Sequence, residues 1–163
     1  MFGLAMGDPL AIYLHDHLAG ANFAIELLEN LQKSHSGHET GAFAQAILTE
    51  VEEDRAVLKG IIDKVGTSHF DAKDAIAWLG EKASRVKLGH GQPGGLATFE
   101  ALETLDLGIM GKVSLWHTLG VTAAFDSRLA GLDFTALAVR AQDQFNRVEK
   151  FKLSIAKSAF ACD

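Results

Sequence analysis

The chain has 163 residues, of which 48% are hydrophobic and 22% are charged, and it carries a formal net charge of −6. This balance is that of a folded globular protein and excludes a disordered chain. The acidic charge gives no basic footprint for nucleic acid, and no apolar run approaches the ~18–20 residues of a membrane span. We therefore expect one soluble, cytoplasmic domain over residues 1–163, with no nucleic-acid or membrane partner.

The first predicted helix begins at Asp8-Pro9 and runs to about Ser34. Asp is a favourable N-cap, and Pro suits the first helical position because its missing N–H would have no partner there. Two adjacent apolar stripes follow this helix, which predicts that it packs between two neighbouring helices. Residues 35–39 are predicted to form a turn.

The second predicted helix spans residues 40–65 and carries an acid where an apolar residue is expected. Steps of three and four residues define its apolar seam, which consists of Phe43, Ile47, Val51, Asp54, Leu58, Ile61 and Val65. A buried carboxylate is costly unless it is paired, hydrogen-bonded or bound to a metal. Asp54, with Glu50 one turn before it, is therefore the strongest indication of a site. Gly66 is predicted to end the helix.

Three further helices are predicted in the second half of the chain. The third covers residues 71–88 and is followed by a glycine-rich break. The fourth spans residues 96–124, with Lys112 in its core seam, and its Gly108 and Gly111 indicate close approach of a neighbouring helix. Asp133 is expected to cap the fifth, which continues to about Phe160. No strand-like alternation occurs, so the predicted fold class is all-α.

The helix lengths predict a topology. The first, second, fourth and fifth helices would each be about 38–45 Å long, and the third about 27 Å. A short third helix with a loop at each end can carry the chain from one end of a bundle to the other. That path joins two antiparallel pairs by one long crossover, which is the ferritin-like arrangement. A simple up-down five-helix bundle is the alternative.

Four stretches of the chain carry a resemblance to a known group. They are YLHDHLAGA (13–21), EVEEDR (50–55), WLGEKASRVK (78–87) and LETLDLGIMGKVSLW (102–116). Through them the chain resembles uncharacterised bacterial ferritin-like four-helix-bundle proteins. The resemblance implies a ferritin-like four-helix bundle with a shorter fifth, crossover helix, and it implies no particular activity.

The chain departs from the metal-binding pattern of the wider ferritin-like superfamily. Those proteins often hold two metals through inward carboxylates and Glu-x-x-His pairs. Histidines occur here at positions 15, 17, 35, 38, 69, 90 and 117, and none has a carboxylate residue three positions before it. The standard di-iron site is therefore absent from the sequence, which argues against ferroxidase or oxygenase activity.

The acids of the second helix have two interpretations. In the favoured one they form a structural ion-pair cluster, which comprises Glu50, Glu53, Asp54, Lys82, Arg85 and Lys112. In the alternative they bind iron, manganese or zinc, and the ligands are His17, Glu50, Glu53 and Asp54. A lysine in a core seam favours ion pairs, because its ammonium has little else to reach inside the bundle.

The other motifs are weaker. His15 and His17 point about 200° apart on a helix and cannot share a metal, so a satisfied core histidine is the expectation for His17. His35 and His38 lie in the predicted turn beside Glu39, but two histidines without further ligands are a weak zinc signal. The glycine-rich break lacks the strand and the Gly-Lys-Ser/Thr of a phosphate loop.

These observations lead to three hypotheses of function. We favour a non-catalytic ferritin-like bundle that acts through self-association or partner binding, as a homo-oligomer and most simply a dimer. The alternative is a ferritin-like metalloprotein with a non-standard carboxylate/His site. The third is a bundle that holds a small apolar ligand, with the glycines of the fourth helix leaving space for it. No cofactor is predicted, and no catalytic residue is identified.

Overall fold

A computed structural model describes residues 7–66 and 92–161 of the chain. Four long helices occupy this part of the chain: α1 (Pro9–Ser34), α2 (Glu39–Val65), α3 (Leu96–Thr122) and α4 (Phe134–Ser154). A short 3-10 turn (Ser127–Leu129) connects α3 to α4, and a one-turn helix, α5 (Ala156–Phe160), follows α4. The described residues contain helices and no strand, which confirms the all-α prediction. The helix predicted over residues 71–88 lies outside the described residues.

The predicted helix ends are formed by local hydrogen bonds. Asp8 caps α1 by accepting a 2.9 Å hydrogen bond from the Leu10 backbone N–H, and Asp133 caps α4 through a 2.9 Å bond from the Ala136 N–H. Gly66 ends α2 with a φ of 92°, a conformation that glycine adopts without the steric cost of a Cβ. These three caps confirm the boundaries expected from the sequence.

Side-chain contacts define the direction of each helix. Gln32 contacts Gln45 and Asn22 contacts Arg55, so α1 and α2 are antiparallel. We call the end of the bundle that contains the α1–α2 turn the first end. There, Nε2 of His35 lies 3.2 Å from Oγ1 of Thr98, in the first turn of α3. Hence α3 begins beside the beginning of α2.

A contact at the other end of the bundle gives the direction of α3 relative to α2. Arg128, just beyond α3, donates a 3.4 Å hydrogen bond to the carbonyl oxygen of Val65, the last residue of α2. The two helices therefore run in the same direction, and Gly66 and Gln92, on either side of the undescribed residues, belong to opposite ends of the bundle. Both predicted paths place these two residues at opposite ends, because the long crossover and the up-down five-helix bundle each use the intervening chain to span the bundle.

The core consists of two apolar clusters that meet at the middle of the bundle. One lies towards the α1–α2 turn, around Leu28, Ile47 and Leu102, and the other towards the α3–α4 connection, around Leu58 and Trp116. Among the charged side chains of the described residues, only Asp54, Asp106 and Lys152 belong to buried residues. Asp54 is 3% exposed, which confirms its predicted place in the seam of α2.

Two details of the sequence prediction were wrong. The fifth predicted helix does not run unbroken to Phe160, because α4 ends at Ser154 and α5 begins after Ile155. Gly108 and Gly111 do not serve the close approach of a described helix, since a Cβ at either position would meet no atom of the described residues within 4 Å. Within the part of the chain that the structure describes, no helix is both long and apolar enough to cross a membrane.

Candidate functional site at the centre of the bundle

Asp54 of α2 is the centre of a polar network that joins three helices. Lys112 of α3 donates a 2.6 Å hydrogen bond to its Oδ2, and the Gln144 amide of α4 donates a 3.0 Å bond to the same oxygen. Lys112 also donates to the Gln144 carbonyl oxygen. Both acid oxygens have a basic neighbour, because Arg140 Nε lies 3.4 Å from Oδ1. Both oxygens of the buried carboxylate are thus compensated.

Glu50 forms the second acidic position, one turn before Asp54. Arg147 of α4 binds it through two N–H groups, at 2.9 Å from Oε1 and 2.6 Å from Oε2, and Gln144 adds a 3.1 Å bond. The hydrogen bonds from Arg147 hold the pKa of Glu50 below its usual value, against the opposing effect of burial. Asp143 accepts a 2.8 Å hydrogen bond from Arg147 Nε and so fixes the guanidinium in this orientation.

Glu53 is the third acid and lies at the edge of the network. Its side chain is 60% exposed, and Arg140 NH2 lies 2.5 Å from its Oε2. This contact is the main cause of the raised pKa of Arg140. We refer to the whole set below as the Asp54 network: Glu50, Glu53, Asp54, Lys112, Arg140, Gln144 and Arg147.

Lys112 is the most enclosed cation of this network, with a side chain that is 15% exposed. Burial lowers the pKa of the Lys112 ammonium, and the Asp54 carboxylate offsets this effect only in part. The charged form of Lys112 therefore depends on Asp54. Removing either partner strands a charge in the core.

A second buried ion pair joins α3 to α4 nearer the first end of the bundle. Lys152 Nζ lies 2.7 Å from Asp106 Oδ2, and the two side chains are 11% and 5% exposed. Neither oxygen of Asp106 accepts a well-aligned hydrogen bond from the described residues. Burial raises the pKa of Asp106, and the nearby Glu103 and Glu149 add to this effect. The contact with Asp106 raises the pKa of Lys152, so the lysine stays charged.

The structure places the predicted site residues as follows. Lys112 contacts Asp54, as its position in the seam predicts. Lys82 and Arg85, the other two predicted cations, lie outside the described residues. Among the described residues, the partners of Glu50 and Glu53 are two arginines of α4.

The residues that sequence reasoning missed are Arg140, Gln144 and Arg147. Their spacing of four and three residues places them on one face of α4. That polar stripe, beside the seam residues Ala141 and Val148, was a readable signal for a partner of the acids of α2.

The structure does not bring the predicted metal ligands together. The part of the chain that the structure describes contains no group of three or more His, Cys, Asp or Glu side chains that could hold a metal ion. The oxygens of Glu50, Glu53 and Asp54 face basic groups instead, and a cation in that position repels a metal. His17 packs edge-on against Tyr13 at 4.6 Å between ring centroids, and burial lowers its pKa.

The histidines of the α1–α2 turn separate into two environments. His35 is fully buried, contacts Thr98 Oγ1 at 3.2 Å, and has a pKa lowered chiefly by burial. His38 is exposed and precedes the first residue of α2. Gly41 passes so close to His35 that a Cβ there would lie 2.3 Å from the His35 carbonyl oxygen. The turn therefore packs His35 as a core residue and does not form a zinc site.

No protein-family model, curated protein or solved structure matches this chain. The contacts of its own residues therefore carry the functional interpretation.

Proposed function

We propose that the protein is a non-catalytic, ferritin-like helical bundle that acts through self-association, with the Asp54 network holding its helices in register. The observation that carries this proposal is the complete internal pairing of the central acids. Where di-metal bundles use inward carboxylates for metal, this chain directs Lys112, Arg140 and Arg147 at them. The parallel direction of α2 and α3 agrees with the ferritin-like part of the proposal, and it agrees equally with an up-down five-helix bundle.

The outer face of α3 supports self-association. Five residues three or four positions apart define this face: Leu107, Met110, Ser114, Thr118 and Val121. Leu107 is 73% exposed and Val121 is 71% exposed, and the face carries no charged side chain. In a chain of net charge −6, an uncharged apolar face is where two copies meet without like-charge repulsion. A two-fold dimer would use this self-complementary strip on both copies.

Sedimentation across a range of protein concentrations tests the proposal. We expect the parent protein to form a dimer and the Leu107→Glu/Val121→Glu variant to remain monomeric. Val139→Glu is the matched control, because Val139 is 66% exposed on α4 and lies outside the proposed interface. A parent protein that is monomeric at every concentration, or a Val139→Glu variant that dissociates equally, would contradict the proposal.

Metal analysis addresses the metalloprotein alternative. Protein purified without an affinity tag is dialysed and analysed for iron, manganese and zinc. We expect substoichiometric amounts of each, because basic groups contact the carboxylate oxygens. Stoichiometric metal that survives dialysis and is lost in Asp54→Asn would overturn the proposal.

A further inference from the structure

A small cavity lies beside the Asp54 network, between α1, α2 and α3, with a volume of about 80 Å³. Small residues form part of its wall, namely Gly20 and Ala24 on α1 and Gly108 on α3. A Cβ added at Gly20 or Gly108 would meet no other atom within 4 Å. Glycines at two facing positions therefore leave space that ordinary side chains would occupy.

The polar groups around this cavity are rich in hydrogen-bond donors. Trp116 is 1% exposed, and its indole N–H has no acceptor in the described part of the chain. A lysine ammonium carries three donors, and those of Lys112 have two assigned acceptors, Asp54 and Gln144. A buried donor without a partner is costly, so these groups favour a ligand that brings acceptor oxygens.

The charges at the cavity also favour an anion. Asp54 contributes one negative charge to the cavity wall, and Lys112, which also lines the cavity, balances it. Arg55, a further residue of the cavity wall, donates a 3.0 Å hydrogen bond to Asn22 and forms no ion pair with a carboxylate of the described residues. Positive charge is therefore in excess around the space.

Apart from His17, the remaining wall is apolar and limits the size of the ligand. Val51, Leu58, Ile109 and Leu115 contribute to it. Its volume of about 80 Å³ is roughly half that of the ~150 Å³ engineered cavity that binds benzene. We propose that the cavity binds a short-chain aliphatic monocarboxylate, with its alkyl chain against this wall and its carboxylate accepting hydrogen bonds from Trp116 and from Lys112 or Arg55. This site is independent of the proposed dimer face.

Butyrate is the probe, and butylamine and 1-butanol are its comparisons, because the three share a chain length and differ in the charge of the polar group. The chain has two tryptophans, so a Trp78→Phe background makes Trp116 the only reporter of indole fluorescence. We expect a saturable fluorescence change with butyrate, and at least about tenfold weaker binding of the amine and the alcohol.

Two glycines of α3 provide a matched pair of variants. Gly108 lines the cavity and Gly111 does not, although a Cβ at either position meets no atom within 4 Å. Gly108→Leu should weaken butyrate binding about tenfold or more, whereas Gly111→Leu should bind as the parent does. Ala24→Leu fills the same cavity from α1 and provides a second blocking variant if Gly108→Leu does not fold.

Three results would overturn the proposal. The first is the absence of a saturable change with butyrate, and the second is equal binding of butylamine. The third is unchanged butyrate binding in a folded Gly108→Leu or Ala24→Leu protein. The dimerisation measurement is separate, since Leu107 and Val121 do not line the cavity.

Discussion

The Asp54 network and the Asp106–Lys152 pair bury the same two kinds of charge, but they compensate the carboxylate differently. Asp54 accepts hydrogen bonds from an ammonium at 2.6 Å and an amide at 3.0 Å, with a guanidinium nearby. Asp106 has one ammonium at 2.7 Å and no well-aligned donor among the described residues, and burial raises its pKa. The difference shows that burial does not by itself determine how a charge affects stability; the number and alignment of donors around it do.

The largest expected difference concerns Asp54 and its exposed neighbour on the same helix. Asp54→Ala should lower the free energy of unfolding by about 3–5 kcal/mol, because it leaves Lys112 buried without its carboxylate. Glu52→Ala should change it by about 0–1 kcal/mol, since Glu52 is exposed. Urea unfolding at neutral pH measures both values. Equal midpoints for the two variants would show that the network does not stabilise the fold.

A smaller effect is expected at the second pair. Asp106→Asn keeps the shape of the side chain and removes a carboxylate that burial disfavours. Lys152 then loses one acid but still lies near Glu103 and Glu149. We therefore expect a loss of at most about 1 kcal/mol, against about 3 kcal/mol for Asp54→Asn. If Asp106→Asn destabilises the protein as much as Asp54→Asn does, the inference that the two carboxylates contribute differently to stability is wrong.

The smallest expected effect is on the pH dependence of stability, to which Glu50 and Asp106 should contribute with opposite signs. Arg147 lowers the folded-state pKa of Glu50, so this acid contributes stability that is present above its unfolded value of about 4.3 and is lost as pH falls through the folded pKa. Asp106 has a raised folded-state pKa, so its destabilising effect is complete above that pKa and is relieved as pH falls towards its unfolded value of about 3.9.

Urea unfolding measured between neutral and acidic pH separates the contributions of Glu50 and Asp106. Glu50→Gln should lose less stability on acidification than the parent, and Asp106→Asn should lose more. The reverse order would mean that the two acids have exchanged roles, and parallel curves for all three proteins would mean that neither acid has a shifted pKa.

The sequence was sufficient to predict the seam of α2 and an ion pair between Lys112 and the acids of that helix, and the structure identifies Asp54 as the acid. Both follow from the helical period, because an acid and a lysine in the apolar seams of two helices have few other partners inside a bundle. The Asp106–Lys152 pair had a similar sequence signal, because Lys152 also falls in an apolar seam. Asp106 was not recognised as its partner. Helix period alone does not define the rotation of one helix against another.

The sequence reasoning did not assign the arginines of α4 as partners of the acids. Arg140 and Arg147 are partly exposed and reach the acids with long side chains, so their positions lie beside the seam and not within it. Lys82 and Arg85 were equally reasonable partners on pattern alone. The cavity depends on Gly20 and Gly108 facing each other across two helices, and the sequence suggested space at Gly108 without its position in the bundle.

A double-mutant cycle between Asp54 and Lys112 tests most directly the claim that the central acids form an internal ion-pair network. The four proteins are the parent, Asp54→Leu, Lys112→Met and the double variant, each measured by urea unfolding at neutral pH. Each single variant should lose about 3–5 kcal/mol, and the double variant should recover most of that loss because it strands neither charge. A double variant that loses the sum of the single losses, or a Lys112→Met protein as stable as its parent, would contradict the account.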